Sequence, residues 1–183
     1  MLPNGISETL PGFEASEYYT VFKRLLTSRK LESLLEKHDF TCQFLCHMGL
    51  ACYEEHFEKL ASGRVEILHQ ARADYSRIFA ESSIFVTDYS STGFDFAYLG
   101  KPLIYFQFDE LTQYDPGWFS YEDDGLGPIT RTVEETIDMI EHYLDNGCKP
   151  DGLYAQRIDS FFAYRDRNNC KRLLDATLPE DLK

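Results

Sequence analysis

Apolar and polar residues follow two rhythms along this 183-residue chain. From Glu17 onward, Tyr19, Phe22, Leu25 and Leu26 recur at helical spacing, with Ser16 placed to cap the helix. Leu31, Leu34 and Leu35 repeat that rhythm behind Ser28. Phe40 to Cys46 reads as a strand, residues 47–52 as an irregular connection, 53–60 as a short helix, and Val65, Ile67 and Leu68 as a second strand. Asp74 opens a helix through Ile78 and Phe79. Farther on, Thr132 and Glu135 form a capping box ahead of Val133, Ile137, Ile140 and Leu144, and Gly147 marks the stop. Tyr154, Ile158, Phe161 and Phe162, then Leu173 and Leu174 beyond the polar link RDRNN, predict two terminal helices.

The second rhythm is the uninterrupted apolar run, and it is clearest in residues 84–106, IFVTDYSSTGFDFAYLGKPLIYF. Ile84 to Val86 and Leu103 to Phe106 lack polar alternation, as strands of a parallel sheet do when both faces are covered. Between them lie a small-residue turn (Tyr89, Ser90, Ser91, Thr92, Gly93) and an amphipathic segment (Phe94, Phe96, Ala97, Leu99). Gly100 follows as a left-handed stop. This predicts a βαβ unit. Strand–helix alternation along the chain predicts an α/β fold with a Rossmann-like, mostly parallel sheet. Only about four strands are legible, few for such a sheet, so a missing edge or first strand is expected. Residues 1–16 are turn-rich and read as a loop or the remnant of a preceding strand. Residues 107–131 carry no period, and a loop of that length is usually functional or mobile.

Length predicts one domain, residues 1–183, with residues 150–183 as its C-terminal helices. The 43% hydrophobic share supports a folded core, and a net charge of −13 argues against nucleic-acid binding and against unaided attachment to an anionic membrane. A phosphate ligand must therefore be held by local donors. Five unevenly spaced cysteines, with neither a membrane-length apolar run nor a signal peptide, predict reduced thiols and a cytoplasmic location.

The turn at Ser90 and Ser91 has the makings of an anion site, because a helix N-terminus offers unpaired N–H groups at the carboxyl end of a strand. The plainer reading is that Ser90, Ser91 or Thr92 only caps the helix. His47 follows a strand at the same kind of edge and can bond a phosphate or exchange a proton, though a loop histidine is often structural. Cys42, Cys46, Cys52 and His56 invite a zinc reading, but Cys42 and Cys46 share one face of a strand and buried free thiols explain them better. Cys46 and Cys52 lack the arginine and base of a nucleophile, and Asp123 and Asp124 read as a solvated acidic loop rather than a cation site. Asp95 is too polar for a core face; it suits a ligand hydroxyl or the nearby serines. Lys101, Arg131, Arg165 and Arg167 are candidate diphosphate partners or plain surface charges.

Taken together, TDYSSTGFDFAYLGKPLIYFQFD, FSYEDDGLGPI and FFAYRDRNNCKR resemble the CDP-glycerol glycerophosphotransferase family of teichoic-acid synthesis, in order, over roughly residues 16–175. The resemblance implies the C-terminal, donor-nucleotide half of a glycosyltransferase-B-like fold. It implies that Ser90 and Ser91 hold the donor diphosphate, that Asp95 lines the CDP-glycerol site, and that Leu45, Cys46 and His47 carry the family's histidine to the phosphates. The implied reaction is attack by an acceptor hydroxyl on the β-phosphate of CDP-glycerol, with CMP leaving; it needs no metal or cofactor. The acceptor, a polymer or glycolipid, would engage an N-terminal domain. In the full-length protein the implied place is the inner face of the cell membrane. Two departures stand out. Met48 occupies the family's usual proline position, with Cys46 where proline or leucine is common, and MLPNGIS stands where the family's Trp-Arg motif is expected. A second family histidine, in the N-terminal domain, has no counterpart here. Alone, the chain is expected to bind donor weakly and turn over little, and apolar surface left by the companion half would favour homo-oligomers. Rival readings are a nucleotide-binding module without activity of its own, and a domain using a UDP- or GDP-sugar.

Overall fold

In the computed structural model of the chain, the described residues are 12–109 and 118–178. The expectation for residues 1–16 falls mostly outside them, as does the middle of the 107–131 loop.

Five short strands carry the fold: β1 (Cys42–Phe44), β2 (Val65–Ile67), β3 (Phe85–Thr87), β4 (Leu103–Phe106) and β5 (Ile129–Thr130). All described pairings within these strands are parallel. β1 pairs β2 with Cys42 opposite Val65, while β3 pairs β4 with Phe85 opposite Leu103 and β4 pairs β5 with Tyr105 opposite Ile129. The α/β, parallel-sheet class read from the sequence is therefore the observed one. Among the described residues the strands nevertheless form two sheets, β1–β2 and β3–β4–β5, rather than one. The strand expected over Phe40–Cys46 is confined to Cys42–Phe44. β5, inside the long loop, is two residues long and shows no period to read.

Four of the described helices begin where side chains supply the missing N-terminal acceptors. Ser16 Oγ accepts from Tyr19 N–H at 3.2 Å to open α1 (Glu17–Leu26), and Ser28 Oγ accepts from Leu31 N–H at 3.4 Å to open α2 (Arg29–His38). After the short α3 (Glu54–Glu58), Asp74 caps α4 (Tyr75–Glu81) through Arg77 N–H at 3.2 Å. α5 (Thr92–Tyr98) follows β3 and ends in Gly100 at φ 73°. The full capping box of Thr132 and Glu135 opens α6 (Val133–Asp145), and α7 (Gly152–Phe161) and α8 (Asn169–Thr177) complete the chain.

Two apolar clusters hold these elements. The larger joins Leu25 and Leu26 of α1, Leu31, Leu34 and Leu35 of α2, Phe44, Leu50, Phe57, Phe106 and Ile137. The smaller joins Phe79, Phe96, Ala97, Leu103, Tyr105, Leu126 and Ile158. β3 divides them by its pleat: Ile84 and Val86 pack on the first, Phe85 on the second. Helices α1, α2 and α6 thus cover one face, and α4, α5 and α7 the other. α7 also tethers the glycine-rich segment before β5, for Arg157 donates to the Gly125 carbonyl at 3.0 Å, and Phe161 stacks on Phe94 of α5 with centroids 5.2 Å apart.

Candidate functional site at the carboxyl ends of β1 and β3

β1 leaves the sheet through Leu45, Cys46 and His47, and β3 leaves through Asp88, Tyr89, Ser90 and Ser91. Both exits open on one cleft of about 640 Å³ that runs between the two sheets. Ligands of open α/β sheets bind at this end of the strands, where neighbouring connections part. The tertiary fold therefore brings His47, Ser90 and Ser91, far apart in sequence, to the rim of a common cavity.

His47 begins a 3₁₀ turn (Met48–Tyr53), and its Nδ1 accepts from Gly49 N–H at 3.1 Å. An accepting Nδ1 assigns the proton of the neutral ring to Nε2, and the exposed ring has that donor to offer a ligand. Cys46 turns the other way. Its thiol is 1% exposed and lies 3.7 Å from the Leu50 carbonyl and 3.9 Å from Glu54 Oε1. Burial, then Glu54, pushes the thiol up to about 12. Such a thiol stays protonated at neutral pH and is a poor nucleophile. Its carbonyl accepts from Gln70 Nε2 at 2.5 Å, which ties the exit of β1 to the turn after β2.

In the β3 exit the two serines part company. Ser90 is half-buried, and its Oγ lies 2.6 Å from Thr92 Oγ1 and accepts from Thr92 N–H at 3.3 Å. Ser90, rather than Ser91, is thus the hydroxyl that organises the start of α5. Ser91 is exposed, with its hydroxyl open to a ligand at the rim. Asp95 is also exposed, one turn further along α5, and lies outside the lining of the cleft.

Asp88 is a site residue that sequence reasoning passed over. Burial lifts its carboxyl above the usual carboxylate range, against the opposing pull of backbone N–H groups and of His47. It also acts on Tyr18, whose buried phenol is raised first by desolvation and then by the Asp88 charge, with a backbone contact from His47 pulling it down. Tyr18, Asp88 and His47 are therefore one electrostatic group at the cleft mouth. The available signal was a single acid ending an apolar run in VTDYSS.

Other candidates have structural employment. Lys101 Nζ donates to the carbonyls of Phe79, Ala80 and Ser82 at 2.8, 2.9 and 2.6 Å, capping the end of α4 rather than binding phosphate. Arg131 donates to the Gln107 carbonyl at 3.3 Å, and Arg165 pairs with Asp159 at 3.0 Å. His56 contacts Glu14 at 2.8 Å, and Cys52 is exposed while Cys42 is partly covered; among the described residues no cluster could hold a metal. Asp124 accepts from Ser120 N–H at 2.9 Å and closes a local turn. No described helix is long and apolar enough to cross a membrane.

The sequence model of the CDP-Glycerol:Poly(glycerophosphate) glycerophosphotransferase family matches residues 11–178. The minor teichoic acid biosynthesis protein GgaB of Bacillus subtilis (strain 168) is 30% identical over 177 residues, which are 97% of this chain and 19% of that protein. The teichoic acid poly(glycerol phosphate) polymerase of the same strain is 38% identical over 94 residues, 50% of this chain and 13% of the polymerase. The chain thus spans less than a fifth of the length of these relatives. Among solved structures, the wall teichoic acid polymerase TagF superposes with a TM-score of 0.56 at 21% identity, over 81% of this chain and 37% of that one, a likeness of fold. By the sequence model over residues 11–178, the chain belongs to the CDP-Glycerol:Poly(glycerophosphate) glycerophosphotransferase family.

Proposed function

We propose that residues 1–183 form a single nucleotide-binding domain, the donor half of a glycerophosphotransferase that moves glycerol phosphate from CDP-glycerol to a polymer or glycolipid acceptor and releases CMP. The observation that carries this reading is the meeting of His47 and the Ser90–Ser91 turn at the rim of one cleft, within a family match over residues 11–178. The exposed Ser91 hydroxyl would bind the diphosphate, and Ser90 would hold the turn in place through Thr92. The Nε2–H of His47 would stabilise charge as the bond to CMP breaks. The Leu45–Cys46 backbone sets the position of that ring, and exposed Asp95, one turn along α5 from Ser91 and outside the cleft lining, would accept from a hydroxyl of a donor that extends past the cleft. The acceptor side belongs to a companion domain. The place of action would be the cytoplasmic face of the membrane, where a glycolipid or polymer acceptor is presented.

Calorimetry of the chain against CDP-glycerol, CDP, UDP and GDP tests the donor. Preference for the cytidine ligands is the expected result; indifference to all four would leave a module without donor binding, and preference for UDP or GDP would move the protein to nucleotide-sugar chemistry. Ser91→Ala should weaken CDP by about 1 to 2 kcal/mol.

A further inference from the structure

His47 owes its place to the residue before it. Cys46 is held by both its backbone and its side chain. Its carbonyl accepts from Gln70 Nε2 at 2.5 Å, and its buried thiol reaches the Leu50 carbonyl at 3.7 Å and Glu54 Oε1 at 3.9 Å. Beyond it the turn closes on itself: Leu50 N–H donates to the His47 carbonyl at 2.7 Å, and Gly49 N–H donates to His47 Nδ1 at 3.1 Å. The ring is thus pinned to its own turn, and the turn is pinned to Gln70 and Glu54.

Glu54 is where these contacts meet. It follows the Met48–Tyr53 turn directly, as the first residue of α3, and its side chain is only 13% exposed. Oε1 accepts from Gln70 N–H at 2.8 Å and faces the Cys46 thiol, while Oε2 lies 3.0 Å from His69 Nδ1. A carboxylate oxygen only accepts, so Nδ1 of His69 carries a proton there. A carboxylate so far from water persists when donors surround it. Here they come from the exit of β1 and from His69 and Gln70, which follow β2. Gln70 spans the group, with its backbone on Glu54 and its side chain on the Cys46 carbonyl. Glu58 pairs with the same histidine from outside, its Oε1 3.5 Å from Nε2 and its side chain 47% exposed.

We propose that Glu54 is a positioning residue for His47, clamping the turn through Cys46 and Gln70 so that the Nε2–H is held where a donor diphosphate would meet it. An exposed ring on a short turn is a defined donor only when the backbone beneath it is fixed, because a displacement of about 1 Å is enough to weaken its contact severely. The diphosphate contact rests on the donor-binding reading above. The clamp on the turn does not, and belongs to the ligand-free chain.

NMR of the full, ligand-free chain with isotope-labelled histidine and glycine reads the clamp directly. With the ring neutral, His47 should show an unprotonated Nδ1 that accepts a hydrogen bond, and the Gly49 amide should exchange slowly. In Glu54→Ala the His47 signals should move toward those of an unrestrained imidazole and Gly49 should exchange faster. Gln70→Met should do the same while leaving the carboxylate and the backbone N–H of residue 70 in place, so the result stands even if Glu54→Ala fails to fold. Calorimetry with CDP should then find both variants about tenfold weaker than wild type. Glu54→Gln, which keeps an acceptor for Gln70 N–H, should restore most of that affinity, and Glu58→Gln should change it by less than about twofold. Because Glu54 acts through His47, Glu54→Ala should add no further loss in a His47→Ala chain, whereas a general structural role would add its full effect. Unchanged His47 and Gly49 signals in both Glu54→Ala and Gln70→Met would overturn the proposal, as would losses that add to that of His47→Ala. A wild-type chain that ignores CDP would end the donor reading instead, with the clamp still decided by the ligand-free spectra.

Discussion

β3 and β4 are neighbours in one sheet and look alike as sequence, yet they live in different surroundings. All four residues of β4 are buried, with Leu103 and Ile104 at 0% exposure, while all three of β3 are only partly covered. β4 has a strand on each side; β3 has β4 on one side and the cleft on the other. An apolar run reports the burial that a strand is suited to, and its exposure in the fold reports whether the burial has been met. The unmet part lies beside the candidate site. Closely packed backbone supports one half of the molecule, and an open wall adjoins the half where chemistry is expected.

The sharpest way to break this contrast is at the packed side. A Cβ on Gly127 would stand 2.1 Å from the Leu103 carbonyl, a backbone atom that cannot step aside cheaply. Gly127→Ala should therefore cost about 3 kcal/mol or more in denaturant unfolding, whereas Gly63→Ala, with open space around it, should be nearly neutral. Leu103→Ala should cost about 3 kcal/mol by loss of a fully buried side chain, and Val86→Ala about 1 kcal/mol or less because its site is already loose. Equal losses at the two positions would erase the distinction between the strands.

A smaller effect is expected at Lys101. Replacing it with Met removes three hydrogen bonds to the end of α4 and should cost about 1 to 2 kcal/mol of stability without changing CDP affinity. The two serines divide in the opposite sense. Ser90→Ala should lower Tm by losing the contact with Thr92, about 1 kcal/mol, and weaken the nucleotide as well. Ser91→Ala should leave Tm in place and act on nucleotide binding alone, as calorimetry beside a thermal melt would reveal.

The smallest effect is a pH dependence. The Asp88 carboxyl is raised in the fold by burial, so the native state binds its proton more readily than the unfolded chain does. Its contribution is thus unfavourable at neutral pH and fades as pH falls through the raised folded value toward the unfolded one. Asp88→Asn should stabilise the protein at pH 7, with the gain shrinking in acid; a gain that is constant with pH would remove the charge from the explanation.

Much of the fold was legible because its signals are local. The serine, aspartate and threonine caps, the capping box and the left-handed Gly100 each depend on residues a few positions away, and all appear where the sequence placed them. The family resemblance was legible for a similar reason, in contiguous segments of fixed order that the family match over residues 11–178 bears out. β5 was missed because two residues carry no period. Lys101 was weighed as a phosphate partner because its real partners, three carbonyls at the end of α4, lie about twenty positions back along the chain. Asp88 was passed over because its raised carboxyl comes from burial, which no single residue announces.

By itself the sequence determined the helices, the strand-like runs, the α/β class and the family, since each rests on periodicity, capping or an ordered motif. Only the tertiary structure decided that His47 and the Ser90 turn share a cleft, that Ser90 braces while Ser91 faces out, and that among the described residues no strand joins β1 to β3. Those facts depend on hydrogen bonds and packing between segments distant in the chain, where the neighbours of a strand are set by which edges find partners.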